Sequence, residues 1–374
     1  MYKNYTNQEQ FDFQINRFME PYKHDDNVQQ IIFDVTSNIV NLESWYSGWS
    51  KVARNAENNG KFGLASAFYQ LADFYLLESD PRKEQTYDLF KKNYYNSISM
   101  DNIDLINIPY DNGYLPTAVL KNEKATKTLI IHGGFDSYLE ELIRLMLSYE
   151  FVNKLSAYQI ILFEGPGQGQ ALRTGLPLTS RWEKPVGAIL DYFNLTSADL
   201  MGMSLGGFLS ARAAAFEPRI KRVVLYDVML NMSESLTMKV PQMQQYLGKK
   251  LDHAGRRILE EKLTFVQNND HNINFLVQKA KDILKVDSAS ELLETLGEFN
   301  MNGNWDKIKQ DVLLLAGTND MYVPKDTLAK EMLLLENARS LTGKLFTEKS
   351  GGDRHCQVGD KELVMPFIIQ FLNN

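Results

Sequence analysis

The chain has 374 residues, 44% of them hydrophobic and 23% charged, with a formal net charge of −7 and one cysteine, Cys356. That balance suits a globular protein of two or three domains, or of one α/β core with large insertions, and its negative charge speaks against nucleic-acid binding through bulk electrostatics. A lone cysteine excludes an internal disulfide and fits a reducing compartment; residues 1–13 lack a basic-then-apolar leader and no apolar run reaches the roughly 18 to 20 residues that span a bilayer, so the expectation is a cytoplasmic protein with no membrane contact.

Residues 1–100 read as a separate helical domain. Over 25–54 the apolar residues Val28, Ile31, Ile32, Val35, Ile39, Val40 and Leu42 recur at spacings of three and four, the period of an amphipathic helix. A second helix over 63–77 puts Leu64, Ala67, Phe68, Leu71, Ala72 and Tyr75 on one face, with Asn58-Asn59-Gly60 as the turn between the two. Asp80-Pro81 opens a third, through Asp88, Leu89 and Phe90. Such stripes pack helices against each other; a functional alternative has this region cover one side of a site carried by the rest of the chain.

From 101 onward the period becomes that of strands. Residues 103–109 and 117–120 flank Tyr110-Asp111-Asn112-Gly113, whose Asn-Gly pair signals a hairpin. Buried strands follow at 128–131, ending in His132-Gly133-Gly134-Phe135-Asp136-Ser137, and at 158–163, ending in Glu164-Gly165-Pro166-Gly167-Gln168-Gly169. Two more run over 198–201 and 222–227. Strands alternating with helical stretches predict an α/β fold with a mostly parallel central sheet. Residues 229–304 interrupt the alternation with helical stretches at 255–266 and 275–284, an insertion placed where a helical cap over a site would sit. The sheet resumes at 312–317, a last strand at 344–347 precedes Gly351-Gly352-Asp353-Arg354-His355, and 363–372 closes as a helix. The division is thus a helical domain at 1–100, a core in two parts at 101–228 and 305–374, and the insertion at 229–304.

The candidate chemistry gathers around Gly202-Met203-Ser204-Leu205-Gly206. An apolar strand before this G-x-S-x-G turn and an Ala-rich helix after it make a nucleophile elbow of the α/β-hydrolase kind. Small residues flank the serine because a sharp strand-to-helix turn leaves no room for side chains, and the helix N-terminus behind it favours negative charge. A serine hydroxyl needs a base. Among five histidines, His355 is the candidate, in a glycine-bearing loop after the last strand; His24 and His253 lie in polar helical surroundings, His271 in an Asn-rich turn, and His132 at a strand end suited to holding the next loop. A base of this kind predicts an activity limb near pH 6 to 7, roughly where an ordinary imidazole titrates.

Asp320, in Gly317-Thr318-Asn319-Asp320 directly after a strand, is the candidate acid to orient His355, with Asp227 at the end of the preceding strand as its rival. The oxyanion donors are the Leu205 N–H and a second from Gly134 or Phe135. Asp136, Asp227 and Met229 are candidates for a substrate pocket, and Met229, Met232, Met238 and Met243 suit adaptable packing or the apolar lining of a cap. Gly165-Pro166-Gly167-Gln168-Gly169 lacks the spacing of a dinucleotide-binding loop. Cys356 is neither nucleophile nor metal ligand on this reading, because neighbours in an extended segment face opposite ways and no other Cys/His cluster exists.

At these residues the chain resembles the α/β-hydrolase superfamily over roughly 100–374, the insertion apart. His132-Gly133-Gly134-Phe135-Asp136-Ser137-Tyr138 with Glu140-Glu141, the segment 164–169, Trp182-Glu183 and Pro185-Val186 are similar to the branch of FrsA-like esterases, 2,6-dihydroxypseudooxynicotine hydrolase and fungal polyketide-shortening hydrolases. Members carry an N-terminal helical domain and are often labelled acylaminoacyl-peptidase-like. The resemblance implies a Ser-Asp-His triad at Ser204, Asp320 and His355. The expectation is a serine hydrolase cleaving a small-molecule or short-peptide ester or amide through an acyl-enzyme, with no cofactor and no metal. A homodimer is an open expectation. Its rivals are C–C bond hydrolysis of a β-diketone-like substrate, peptidase-like cleavage, and a non-catalytic binding protein that kept the fold.

Overall fold

The structure, a computed structural model, describes residues 2–374 except 150, 248 and 250, and leaves the side chains of 236, 237, 242 and 271 undescribed. Two compact units result: residues 1–101 with 274–282 and 358–360, and the remainder of the chain.

The first unit is built on helices Glu9–Phe18, Asp26–Thr36, Leu42–Asn58, Phe62–Phe74 and Lys83–Asn96. The single helix expected over 25–54 is two. Asn41 accepts the Ser44 N–H while the Ser44 side chain returns to the Asn41 backbone, a capping box that starts a new helix and leaves Val40 outside it, 77% exposed. The core is aromatic: Trp45 packs against Phe11, Trp49 and Tyr75 with ring centroids at 4.6, 5.6 and 5.1 Å. Phe275 joins it 4.8 Å from Tyr75, so residues 274–282 of the expected cap pack with this unit. Within it Lys83 is buried with its ammonium 2.7 Å from the Asp73 carboxylate; burial lowers its pKa to about 8 against the opposing pull of Asp73. Removing one partner of such a pair costs about 3–5 kcal/mol.

The second unit is the sheet and its helices. Among the described residues the sheet has eight strands: β1 Ile103–Tyr110, β2 Gly113–Leu120, β3 Lys127–His132, β4 Tyr158–Phe163, β5 Ala198–Met203, β6 Ile220–Tyr226, β7 Asp311–Gly317 and β8 Ser340–Phe346, in the order β1-β2-β4-β3-β5-β6-β7-β8. β1 and β2 form the expected hairpin, with Asp111 at φ 46° in the turn. β2 begins earlier than 117 because Pro116 does not disturb it: pairing with β4 runs only over Thr117–Leu120, so the missing N–H falls outside that ladder. From β4 to β8 all pairs are parallel. The inner strands are near-continuous apolar runs because helices cover both faces. The edge strand β8 is instead exposed or half-buried until it reaches Phe346, which hides its start at Ser340 from a hydrophobicity reading.

The strand order reverses at β3, with β4 on one side and β5 on the other. Ligands of open α/β sheets enter at such a switch point, beyond the carboxyl ends of the strands. The loop after β3 and the turn after β5 both open there. Among the described residues no helix is long and apolar enough to cross a membrane.

Candidate active site

The turn after β5 is strained as the glycine spacing requires. Ser204 has φ 61° and ψ −130°, and its N–H donates to the Tyr226 carbonyl on β6 at 2.6 Å. A Cβ on Gly202 would collide with the Gly206 carbonyl, and one on Gly207 with the Asp227 carbonyl. The helix that follows, Leu205–Phe216, is apolar nearly all round and buried. Leu205 is its first residue, so the Leu205 N–H has no intrahelical acceptor.

His355 opens a short helical turn, His355–Gln357, after β8. Its Nε2 lies 2.7 Å from Ser204 Oγ and its Nδ1 2.6 Å from Asp320 Oδ2. The other Asp320 oxygen accepts from the N–H groups of Tyr322 at 2.7 Å and Val323 at 3.1 Å, which fixes the carboxylate. The Tyr322 ring stands edge-on to the imidazole with centroids 4.9 Å apart. Asp227, 1% exposed, places an oxygen 3.3 Å from the same Nδ1, and accepts from the Val228 and Cys356 N–H groups at 2.8 and 3.1 Å.

Burial pushes the Asp227 carboxyl up to about 7, and the neighbouring Asp320 charge adds to the rise. Burial alone would raise Asp320 as well, but the His355 charge and hydrogen bond outweigh it and hold Asp320 below the ordinary carboxylate range. Burial opposes protonation of His355, yet Asp320 and Asp227 dominate and raise it well above 6.5. The arrangement can therefore pass a proton from a serine hydroxyl to an imidazole whose other nitrogen is held by a carboxylate.

Around it stand the other sequence candidates. Gly134 lies against the elbow: a Cβ there would be 2.8 Å from the Leu205 nitrogen and 2.9 Å from Ser204 Cβ. Phe135 and Asp136 are half-buried on the same loop. Met229 is buried two residues past Asp227, Met232 and Met243 are buried, and Met238 is exposed. His132 bonds the Gly133 carbonyl through Nδ1 and Ser210 Oγ through Nε2, both at 2.9 Å, and burial lowers its pKa to about 4. It is a neutral brace. His24 and His253 are exposed, and the His271 side chain lies outside the described residues; its backbone starts helix His271–Leu284 instead of a turn.

The expectation that Cys356 faces away from His355 does not hold, because the segment is not extended. Cys356 and Gln357 take φ values of 48° and 49°, which bring the sulfur together with an Asp227 oxygen and a His355 nitrogen within 4.8 Å of one another. The Asp227 and His355 atoms already carry the hydrogen bonds above, and burial raises the thiol pKa, away from a ligating thiolate. Sequence reasoning missed Glu331, a fully buried carboxyl on helix Thr327–Leu334 that burial and the Asp227 charge raise well above its ordinary range. Nothing in its apolar neighbourhood along the chain signals it.

The family described as alpha/beta hydrolase fold matches residues 128–340. A 20-hydroxy-prefusarin hydrolase, FUS2, of Gibberella moniliformis is 26% identical, with 76% of this chain and 75% of that one covered. A hydrolase, acrC, of Aspergillus aculeatus is 24% identical over 85% and 84%. Among solved structures, 2,6-dihydroxy-pseudo-oxynicotine hydrolase superposes with a TM-score of 0.63 at 18% identity, covering 96% of this chain and 95% of that one. AbyA5 does so with 0.67 at 14%, covering 97% and 95%. These superpositions speak to the fold alone.

Proposed function

This chain belongs to the alpha/beta hydrolase fold family, and on that premise we propose that it is a serine hydrolase cleaving a small ester or amide through an acyl-enzyme on Ser204. The observation that carries the reading is the pair of short hydrogen bonds, 2.7 and 2.6 Å, running from Ser204 through His355 to Asp320. In this reading Ser204 Oγ adds to the substrate carbonyl carbon while His355 Nε2 takes its proton. The oxyanion meets the Leu205 N–H and one from Gly134 or Phe135. Collapse expels the leaving group with the proton held by His355, and a water activated by the same imidazole then releases the acid and frees Ser204. The hydrolase names of the fungal relatives support hydrolysis as the reaction class. The purified protein should label with a fluorophosphonate at Ser204 and turn over short p-nitrophenyl esters. Turnover of a β-diketone without ester turnover would move the reading to C–C hydrolysis; neither turnover nor labelling would leave a binding protein.

The raised pKa of His355 changes the expected pH profile. Only neutral imidazole accepts the serine proton, and the Asp320 charge keeps His355 protonated to higher pH than an ordinary histidine. The rising limb of kcat/KM should therefore sit well above 6.5, the value of an ordinary histidine. A profile on one ester from acid to alkaline pH checks this; a midpoint below that of ordinary histidine contradicts the charge argument.

A further inference from the structure

The segment 164–169 has no part in the proton path, yet Glu164 and Gln168 are each 1% exposed. Buried amides and carboxylates are kept only where their hydrogen bonds are made. Gln168 Nε2 donates to the carbonyl oxygens of both Gly133 and Gly134, each at 2.8 Å, while Oε1 accepts from the Gly165 N–H at 2.8 Å. Glu164 accepts from the N–H of Leu139 at 2.8 Å and of Gln170 at 2.7 Å. Gly133 and Gly134 begin the loop after β3, and Leu139 ends it as the first residue of helix Leu139–Leu147. One loop thus grips the other at both ends.

Peptide geometry gives the grip its meaning. In a trans peptide the carbonyl of one residue and the N–H of the next point in opposite directions. With the Gly133 and Gly134 carbonyls turned to Gln168, the N–H groups of Gly134 and Phe135 are turned to the other side. Gly134 itself faces the elbow, next to the Leu205 nitrogen and Ser204. We infer that Gln168 is a positioning residue for the oxyanion site: its carboxamide spans two successive carbonyls and so sets the peptide planes that aim a loop N–H beside that of Leu205. Only a primary amide does this from one planar group; a carboxylate would set lone pairs against both carbonyls, and a thioether would hold neither. The inference rests on the serine-hydrolase reading above.

The test uses the full chain with a fluorophosphonate probe and a p-nitrophenyl ester, comparing wild type with Gln168→Met and Gln168→Glu. Misaimed oxyanion donors should lower kcat and the maximal labelling rate by about 10- to 100-fold, below the loss of a whole donor. KM and probe affinity should stay within about threefold, since ground-state binding does not use the oxyanion site. A folded Gln168→Met with wild-type kcat, or with its loss confined to KM, overturns the proposal. Should neither variant fold, a crystal structure of the wild-type phosphonyl adduct decides. Its oxygen must sit within hydrogen-bond reach of Leu205 and of a Gly134 or Phe135 N–H, with Gln168 still across both carbonyls; an oxygen placed elsewhere refutes the inference. Failure of wild type to label at Ser204 removes the hydrolase reading itself, whereas normal labelling of a folded Gln168→Met removes this inference alone.

Discussion

Ser204→Ala should end fluorophosphonate labelling and lower kcat by about 10⁶, the loss seen when a serine nucleophile is deleted from a triad that acts as a unit. The oxygen removed is the atom 2.7 Å from His355 Nε2. KM on a p-nitrophenyl ester should move little, because the hydroxyl contributes to bond making and not to holding the acyl group. Tm should stay close to that of wild type, since alanine keeps the Cβ and the backbone at φ 61° is unchanged. Residual labelling mapped to a different serine would sink the assignment.

The second large effect separates two carboxyl groups that crowd one imidazole. Asp320 is the nearer, at 2.6 Å against 3.3 Å for Asp227. With the Asp227 carboxyl raised to about 7, it carries a proton through much of the range below neutrality, and Asp320 carries the charge. Asp320→Asn presents an amide N–H or a weak acceptor to Nδ1, favours the wrong tautomer, and should cut kcat by about 10⁴. Asp227→Asn removes the carboxyl that lies farther from Nδ1, at 3.3 Å, and leaves Asp320 to hold the imidazole, so its cost should be far smaller. It should also move the pH limb downward by removing a hydrogen bond that favours imidazolium. A dead Asp227→Asn beside an active Asp320→Asn would exchange the two roles.

How much of this is legible in the sequence depends on whether the signal is local. The elbow is local: glycine at fixed offsets around a serine, between an apolar strand and a small-residue helix, can be read without any partner. Strands β3 to β7 are legible for the same reason, as short apolar runs. The break between Asp26–Thr36 and Leu42–Asn58 escapes a periodicity reading because Asn41 and Ser44 act through backbone hydrogen bonds and not through hydrophobic spacing. The fold of Cys356 beside His355 escapes it because a left-handed turn at a non-glycine residue has no compositional mark. Gln168 reads as part of a glycine-rich loop of the wrong spacing; its work depends on two carbonyls 34 and 35 residues away, which no spacing rule reports. The raised pKa of Asp227 and of Glu331 likewise comes from burial among groups distant in the chain.

The strand order also sets a timetable. Ser204 and His355 are 151 residues apart, and β5 is completed long before β7 and β8 exist to carry Asp320 and His355 to its side. During synthesis β5 stands as an apolar edge strand until β6 joins it, and β6 then waits through the whole insertion at 229–304 for β7. Non-local parallel pairing of this kind folds slowly and leaves sticky edges open in the meantime. The nucleophile is thus born early and unarmed, and the chain acquires its base only after β1 to β8 have all been made.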